Sequence, residues 1–308
     1  MIILELPALQ RALRYPDIVN LMRDALIAQF RGQCDTPMPM HLHPDGDGEV
    51  HMKSSYRRGG RFFALKVAST FPENAKRGLS TGNGMMLLAS AETGEPVAIL
   101  NDAGHLTDVR TAAVSAMVAR ELGREDHSLG IIGTGIQARL QALLHAQVLP
   151  LDQIWIYGRD RERAMTCRDE VQAMLPQANV QVAASSAEIA LRTRLVVTAT
   201  ASRAPLLLDG DVQPGTLISA VGADSDGKQE LDPRILQRAE LLLADSPRQC
   251  QLLGELQHAP EEWPRVREIG GFLLAPNDTS ADAITVCDFT GLGVEDLYIA
   301  EYCYERSL

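Results

Sequence analysis

Apolar and polar positions change their spacing twice along this chain. From Ile18 to Phe30 the apolar residues Ile18, Leu21, Met22, Ala25, Leu26 and Phe30 recur every three or four positions. That is the period of an amphipathic helix, with Asp17 after Pro16 as its expected N-cap. Between residues 36 and 100 the runs shorten and alternate: MPMHLH, EVHMKSSY, RFFALKVASTF and GMMLLASAETGEPVAIL. Turns at PDGDG, RGG and ETGEP separate them, so the pattern predicts an antiparallel sheet. The helical period returns at Leu106 and continues through Val109, Ala112, Ala113, Ala116 and Met117.

Beyond that helix, short apolar runs near 129–132, 154–157, 180–183, 195–198, 216–220 and 241–244 alternate with helical stretches. Alternation of this kind predicts parallel strands with crossover helices, a Rossmann-type doubly wound α/β sheet. The last segment, AITVCDFTGLGVEDLYIAEYCYERS, reads as strand, glycine turn and helix. The expected architecture is discontinuous. Residues 1–112 with 286–308 form an α+β domain, and 113–285 form a dinucleotide-binding domain inserted in it.

The segment SLGIIGTGIQA (128–138) carries the strongest chemical signal. Leu129–Ile132 reads as a buried strand, Gly133 as the tight turn, and Gly135-Ile136-Gln137-Ala138 as the start of a helix. GxGxxA between strand and helix places a pyrophosphate on the helix N-terminus, where backbone N–H groups point at it. A second strand, Ile154–Tyr157, follows at the right distance. An NAD-selective fold usually carries an acid at the tip of that strand. Here the tip is Gly158-Arg159-Asp160-Arg161-Glu162-Arg163. Arg159, with Arg161 or Arg163, suits a 2′-phosphate, so NADP(H) is the expected cofactor. Asp160 as a ribose acid leaves NAD(H) as the alternative.

Three further charged sets stand out. GTLISAVGADSDGKQELD (215–232) is a strand with acids just beyond it, which makes Asp224 a candidate proton carrier and Lys228 its electrostatic partner. Lys66 lies inside the apolar run Phe62–Val67, where a buried ammonium is costly unless paired or functional. Arg110 is read near the start of a helix, where the dipole disfavours cations. A bound carboxylate or phosphate would explain Arg110, and internal pairing with Asp102, Asp108 or Glu92 would explain either cation.

Composition narrows the classes. The chain has 308 residues, 45% of them hydrophobic, and a net charge of −11, which argues against nucleic acid as a partner. No run approaches the length of a membrane span, and the start does not read as a signal peptide. Five scattered cysteines form neither a disulfide framework nor a zinc motif, so a cytoplasmic protein is expected. His41, His43 and His51 fall on neighbouring strands, but no carboxylate completes a metal motif; no metal is expected. Cys287 and Cys303 read as core residues rather than nucleophiles.

Several stretches together resemble the ornithine cyclodeaminase/mu-crystallin family: KVASTFPEN (66–74), GLSTGNG (78–84), TDVRTAAVSA (107–116), IIGTGIQA (131–138), AVGADSDGKQELD (220–232) and DFTGLGVEDL (288–297). The resemblance implies a homodimer whose first domain makes the dimer interface. It implies that Lys66, Arg110, Lys228 and Gly293 surround an amino- or imino-acid substrate, with Asp224 and Lys66 in the chemistry. Cofactor contacts would come from Thr81, Arg110, Thr111, Gly133, Gly135, Ile136, Gln137, Arg159, Arg161, Thr200, Val221, Gly222 and Leu292. One departure concerns the substrate carboxylate. Many members carry a Pro-x-Arg pattern near residue 37, where this chain has Thr36-Pro37-Met38-Pro39-Met40.

The reactions that the resemblance implies move a hydride between a nicotinamide and the α-carbon of an amine or imine. NADPH-dependent reduction of a cyclic ketimine such as pyrroline-2-carboxylate is the leading expectation. Ornithine cyclodeamination and alanine-type dehydrogenation are the alternatives, and an NADPH-bound ligand-binding protein is the alternative outside catalysis.

Overall fold

A computed structural model describes residues 1–122, 127–276 and 280–307. The chain divides into two compact units, Met1–Arg110 with Leu292–Leu308, and Thr111–Gly291.

The first unit opens with β1 (Ile2–Glu5), α1 (Leu6–Ala12) and α2 (Tyr15–Phe30). Pro16 and Asp17 lie inside the first turn of α2 and Arg14 precedes it, so Asp17 is a first-turn acid rather than the N-cap. Then come β2 (Cys34–Asp35), β3 (Met40–Leu42), β4 (Glu49–Arg57), β5 (Phe62–Thr70), β6 (Gly82–Ser90) and β7 (Pro96–Asn101). The sheet order is β1-β7-β6-β5-β4-β2, with β3 against β4. All pairs are antiparallel except β1, which joins β7 in parallel. The sheet is therefore mixed, because β1 is separated from β7 by two helices and the rest of the sheet rather than joined to it by a hairpin.

Alternation along each strand gives the sheet two unlike faces. Phe62, Ala64 and Lys66 on β5, Met86 and Leu88 on β6, and Ala98 and Leu100 on β7 are buried. On this side the C-terminal helix (Gly293–Arg306) packs on β4, β5 and α2. The opposite face carries two apolar cross-strand rows. One runs Ile3–Ile99–Leu87–Leu65 and the other Met40–Met52–Val67–Met85. Ile3, Met40, Leu65, Val67 and Met85 are exposed there.

Helix α3 (His105–Glu121) leads into the second unit. Its elements are β8 (Ser128–Ile132), α4 (Ile136–His145), β9 (Gln153–Tyr157), α5 (Arg161–Met174), β10 (Asn179–Val182), α6 (Ser186–Arg192) and β11 (Leu195–Thr198). They continue as β12 (Arg203–Leu207), β13 (Leu217–Ala220), β14 (Gln229–Leu231), α7 (Pro233–Arg238), β15 (Leu241–Ala244), α8 (Pro247–Leu253), β16 (Arg267–Glu268), α9 (Ile269–Leu274) and β17 (Thr285–Asp288). Eight strands make one parallel sheet, order β10-β9-β8-β11-β13-β17-β15-β16. β11, β13, β15 and β17 are buried along their whole length, as strands covered on both faces must be.

The strand order reverses direction between β8 and β11, which is the topological switch point of a doubly wound sheet. β17 lies between β13 and β15, so the segment after residue 285 belongs to this unit as far as Gly291. The boundary expected at 286 is displaced because the C-terminal strand completes the parallel sheet before the chain turns into the helix of the first unit.

Candidate functional site

In the second unit the glycine loop stands at the switch point. Gly133 adopts φ +139°, and its N–H donates to the Tyr157 carbonyl at 2.8 Å. A Cβ there would also run into the Ala199 carbonyl, so both backbone conformation and space select glycine. Arg139, one turn into α4, donates through Nη1 to the carbonyls of Thr134 at 2.8 Å and Gly135 at 2.9 Å, and pairs with Glu170. No side chain caps the N-terminus of α4, and the space beside Gly135 is open. With Ile136 exposed and Ala138 buried, the loop fits the pyrophosphate of a dinucleotide.

The tip of β9 carries glycine at 158 rather than an acid. A side chain at Gly158 would collide with Thr134 of the glycine loop. Asp160 caps α5 instead, its Oδ1 accepting from the N–H groups of Glu162 at 3.0 Å and Arg163 at 3.2 Å. Arg159, Arg161 and Arg163 are exposed. Arg161 lines a groove along β10 with Met165 and Arg168.

Thr200, Val221 and Gly222 follow β11 and β13, and a residue that the sequence reading passed over holds this edge. Glu230, fully buried on β14, accepts from Thr198 Oγ1 (2.7 Å), Thr200 Oγ1 (2.8 Å), and the N–H groups of Thr200 (2.6 Å) and Gly222 (2.9 Å). Burial pushes its carboxyl up to about 7, against the pull of those donors. Its sequence context, Gln229-Glu230-Leu231-Asp232, gives no sign of its burial. Asp224 stands on the loop after β13, with Lys228 Nζ 2.7 Å from its Oδ1. That loop is fastened from outside: Gly227 N–H donates to Gln257 Oε1 at 2.8 Å, and His258 Nε2 to the Lys228 carbonyl at 2.8 Å.

In the first unit, Lys66 and Arg110 come together around two acids of the C-terminal helix. Lys66 Nζ lies 2.8 Å from Asp296. Arg110 Nη1 lies 2.9 Å from Glu295, and its Nε 3.1 Å from Asp296. All four side chains are buried. Their internal partners thus include Glu295 and Asp296 of the C-terminal helix. Asp102 accepts the Leu106 N–H at 2.7 Å, at the head of α3. Because α3 starts at His105, Arg110 lies beyond its first turn, where the dipole argument made from the sequence no longer applies. Burial, with repulsion from Arg110 and Lys53, brings the Lys66 ammonium down to about 7 against the attraction of Asp296. Burial opposes ionisation of Asp296, yet Lys66, Arg110 and Lys53 hold it below the ordinary carboxylate range.

The other expected positions fall as follows. Thr111 follows Arg110 on α3, Thr81 is exposed just before β6, and Leu292 and Gly293 begin the buried N-terminus of the C-terminal helix. Met40 pairs with Met52 on the sheet face opposite Lys66. The five cysteines are buried and form no disulfide, and burial pushes the Cys303 thiol up to about 12, which removes it as a nucleophile at neutral pH. Among the described residues no group of three His, Cys, Asp or Glu side chains is placed to hold a metal.

The ornithine cyclodeaminase/mu-crystallin sequence profile matches residues 3–308. The chain belongs to that family. A dehydrogenase-type protein of Rhizobium meliloti is 39% identical over 279 residues, 86% of this chain and 82% of its own length. Among solved family structures, an archaeal alanine dehydrogenase dimer with bound NAD is 27% identical, with a TM-score of 0.90 over 99% of this chain and 95% of that one. The Δ1-pyrroline-2-carboxylate reductase of Thermococcus litoralis, in complex with NADH and L-proline, shares the fold. Its TM-score is 0.94 at 24% identity, covering 100% of this chain and 97% of that one.

Within this family fold, Glu230 has a thermodynamic signature. Its folded pKa lies above the value of 4.5 expected when unfolded, so the folded protein binds the proton more tightly. Its contribution to stability is complete below the unfolded value and is lost as pH rises through about 7. In Glu230→Gln the fall in unfolding free energy between about pH 5 and about pH 7.5 should shrink relative to the wild type. Urea titrations at the two pH values measure it, and an unchanged difference would remove Glu230 as the source.

Proposed function

We propose that this chain is an NAD(P)H-dependent reductase of a carboxylated imine, with a cyclic ketimine such as Δ1-pyrroline-2-carboxylate as substrate. The carrying observation is Asp224, held 2.7 Å from Lys228 on the loop that follows a central strand of the dinucleotide sheet. Asp224 is 40% exposed, so it stands within reach of a ligand while Lys228 orients it. The Gly133–Gln137 loop and the Thr200 and Gly222 edge would hold the dinucleotide, which would supply the hydride for the imine carbon. Asp224 in its acid form donates the proton to nitrogen, and in the reverse direction its carboxylate takes that proton back. Lys66 and Arg110 hold the substrate carboxylate, which fixes the carbon that accepts the hydride.

We assign NADPH as the preferred reductant. Gly158 has no room for a side chain and Asp160 is engaged as a helix cap, whereas three arginines surround the tip of β9. The archaeal and Thermococcus relatives bind NAD and NADH, so this preference would separate the chain from them. Arg159→Ala should raise KM for NADPH about tenfold, the loss of one charge-assisted contact, and leave KM for NADH nearly unchanged. Equal effects on both cofactors in steady-state assays would refute the assignment.

Asp224→Asn should lower kcat at least a hundredfold, within the usual range for a general acid, while dinucleotide affinity stays close to that of the wild type. The primary assay follows NADPH oxidation with Δ1-pyrroline-2-carboxylate, beside ornithine with NAD and ammonia detection. Ammonia and proline from ornithine would make the chain a cyclodeaminase instead. Dinucleotide binding without turnover of any imine would leave a ligand-binding protein.

We further propose a homodimer formed through the outer face of the mixed sheet, placed in the reducing cytoplasm that suits five cysteines without a disulfide. Among the described residues no helix is long and apolar enough to cross a membrane. The two apolar rows through Leu65 and Val67 make a contiguous patch of the kind that monomers rarely expose. Val67→Asp should yield a monomer in light scattering, with the sheet's circular dichroism intact. A dimer that survives both this change and Leu65→Asp would place the interface elsewhere.

A further inference from the structure

We infer that Lys53 is a third cation of the carboxylate site and a direct ligand of the substrate carboxylate. The inference rests on the reading of Lys66 and Arg110 as that site.

Lys53 lies on β4 directly opposite Lys66 on β5. Partners in an antiparallel pair project to the same face, so both ammonium stems leave the sheet on the side covered by the C-terminal helix. The cross-strand row is Lys53–Lys66–Met86–Leu100. Met86 and Leu100 are core residues, and Lys53 and Lys66 are 9% and 2% exposed. An apolar row thus ends in two opposed ammonium groups withdrawn from water.

Like charges directly opposite destabilise a sheet, and removing each from water costs several kcal/mol before any partner repays it. A core built for stability alone would extend the methionine and leucine row across β5 and β4. Asp296 is paired with Lys66 and Arg110 and also feels the charge of Lys53, so cations from β4, β5 and α3 act on one buried carboxylate. Two hydrogen-bonding cations match the two oxygens of a carboxylate. A third lets a substrate carboxylate bind while Asp296 stays ionised and paired. Lys53 is placed for that role by register rather than by sequence proximity to any other member of the site.

The test uses the full-length protein with dinucleotide bound and pyrrole-2-carboxylate as a flat, unreactive carboxylate probe, titrated calorimetrically. Lys53→Met should weaken probe binding by roughly 10- to 100-fold, the loss of one hydrogen bond to a charged group. Dinucleotide affinity should be unchanged, and Lys53→Arg should restore most of the probe affinity. If Lys53→Met is poorly folded, Lys53→Gln, polar but neutral and shorter than lysine, should also weaken the probe. Probe affinity equal to wild type in these variants would overturn the inference, as would parallel loss of probe and dinucleotide affinity. A wild type that binds the probe but reduces no imine would refute the reductase reading and leave Lys53 as a carboxylate ligand. A wild type that does not bind the probe would overturn the carboxylate site and Lys53 with it.

Discussion

The first unit depends on ion pairing out of water. Lys66 and Arg110 are buried, and each would be strongly destabilising without an opposite charge, because an uncompensated buried ion keeps its desolvation cost and gains nothing in return. Glu295 and Asp296 supply that charge from the C-terminal helix. The chain must therefore bring residues more than 180 positions away back to β5 and α3 before this unit is complete. The discontinuity of the fold follows from the same fact. A first unit lacking its C-terminal helix would hold two buried cations and an uncovered sheet face.

The second unit meets a similar demand with hydrogen bonds. The edge that follows β11 and β13 contains backbone N–H groups with no strand to receive them, and Glu230 accepts two of these together with two threonine hydroxyls. Glu255 in turn accepts the N–H groups of Glu230 and Leu231, at 2.7 and 3.2 Å. One buried carboxyl thus tethers the ends of two adjacent strands. Arg139 does the converse for the glycine loop, occupying carbonyls so that the loop's shape is set by the protein itself. Both devices preorganise a polar edge, which lowers the entropy cost of binding there.

Much of this was legible in the sequence because it is written in local spacing. The glycine loop needs only a strand, a turn and a helix in succession, and β8, Gly133 and α4 supply them at adjacent positions. The parallel sheet follows from alternation, and Lys66 stood out as a cation in an apolar run. What escaped depends on register and on long-range return. Lys53 sits in HMKSSY, a run that alternates like any half-exposed strand. Only its pairing with Lys66 and the cover of the C-terminal helix reveal it as buried. The partners Glu295 and Asp296 lie in VEDL, which reads as an ordinary helix start. That Asp160 caps α5 also escaped, because capping is decided by the exact first residue of the helix, a detail that composition cannot resolve. The end of the second unit was misread because β17 is a short apolar strand whose sheet could not be assigned from spacing alone.

Stability does not account for the charged cluster once it is formed. Replacing a buried ion pair with well-packed apolar residues is often neutral or stabilising, and Met86 and Leu100 show that this sheet face accommodates them. The proposed carboxylate site would account for a set of buried cations retained at such cost by what an incoming anion gains. The donors are already desolvated and held in place by Glu295 and Asp296, so a carboxylate that reaches them meets fixed charge instead of reorganising water. The acids that make burial tolerable also set the limit on that affinity, because they compete for the same cations. On the proposed reading, a site balanced in this way would bind a small carboxylate firmly enough to orient it and weakly enough to release it, which is what reversible turnover of an imino acid requires.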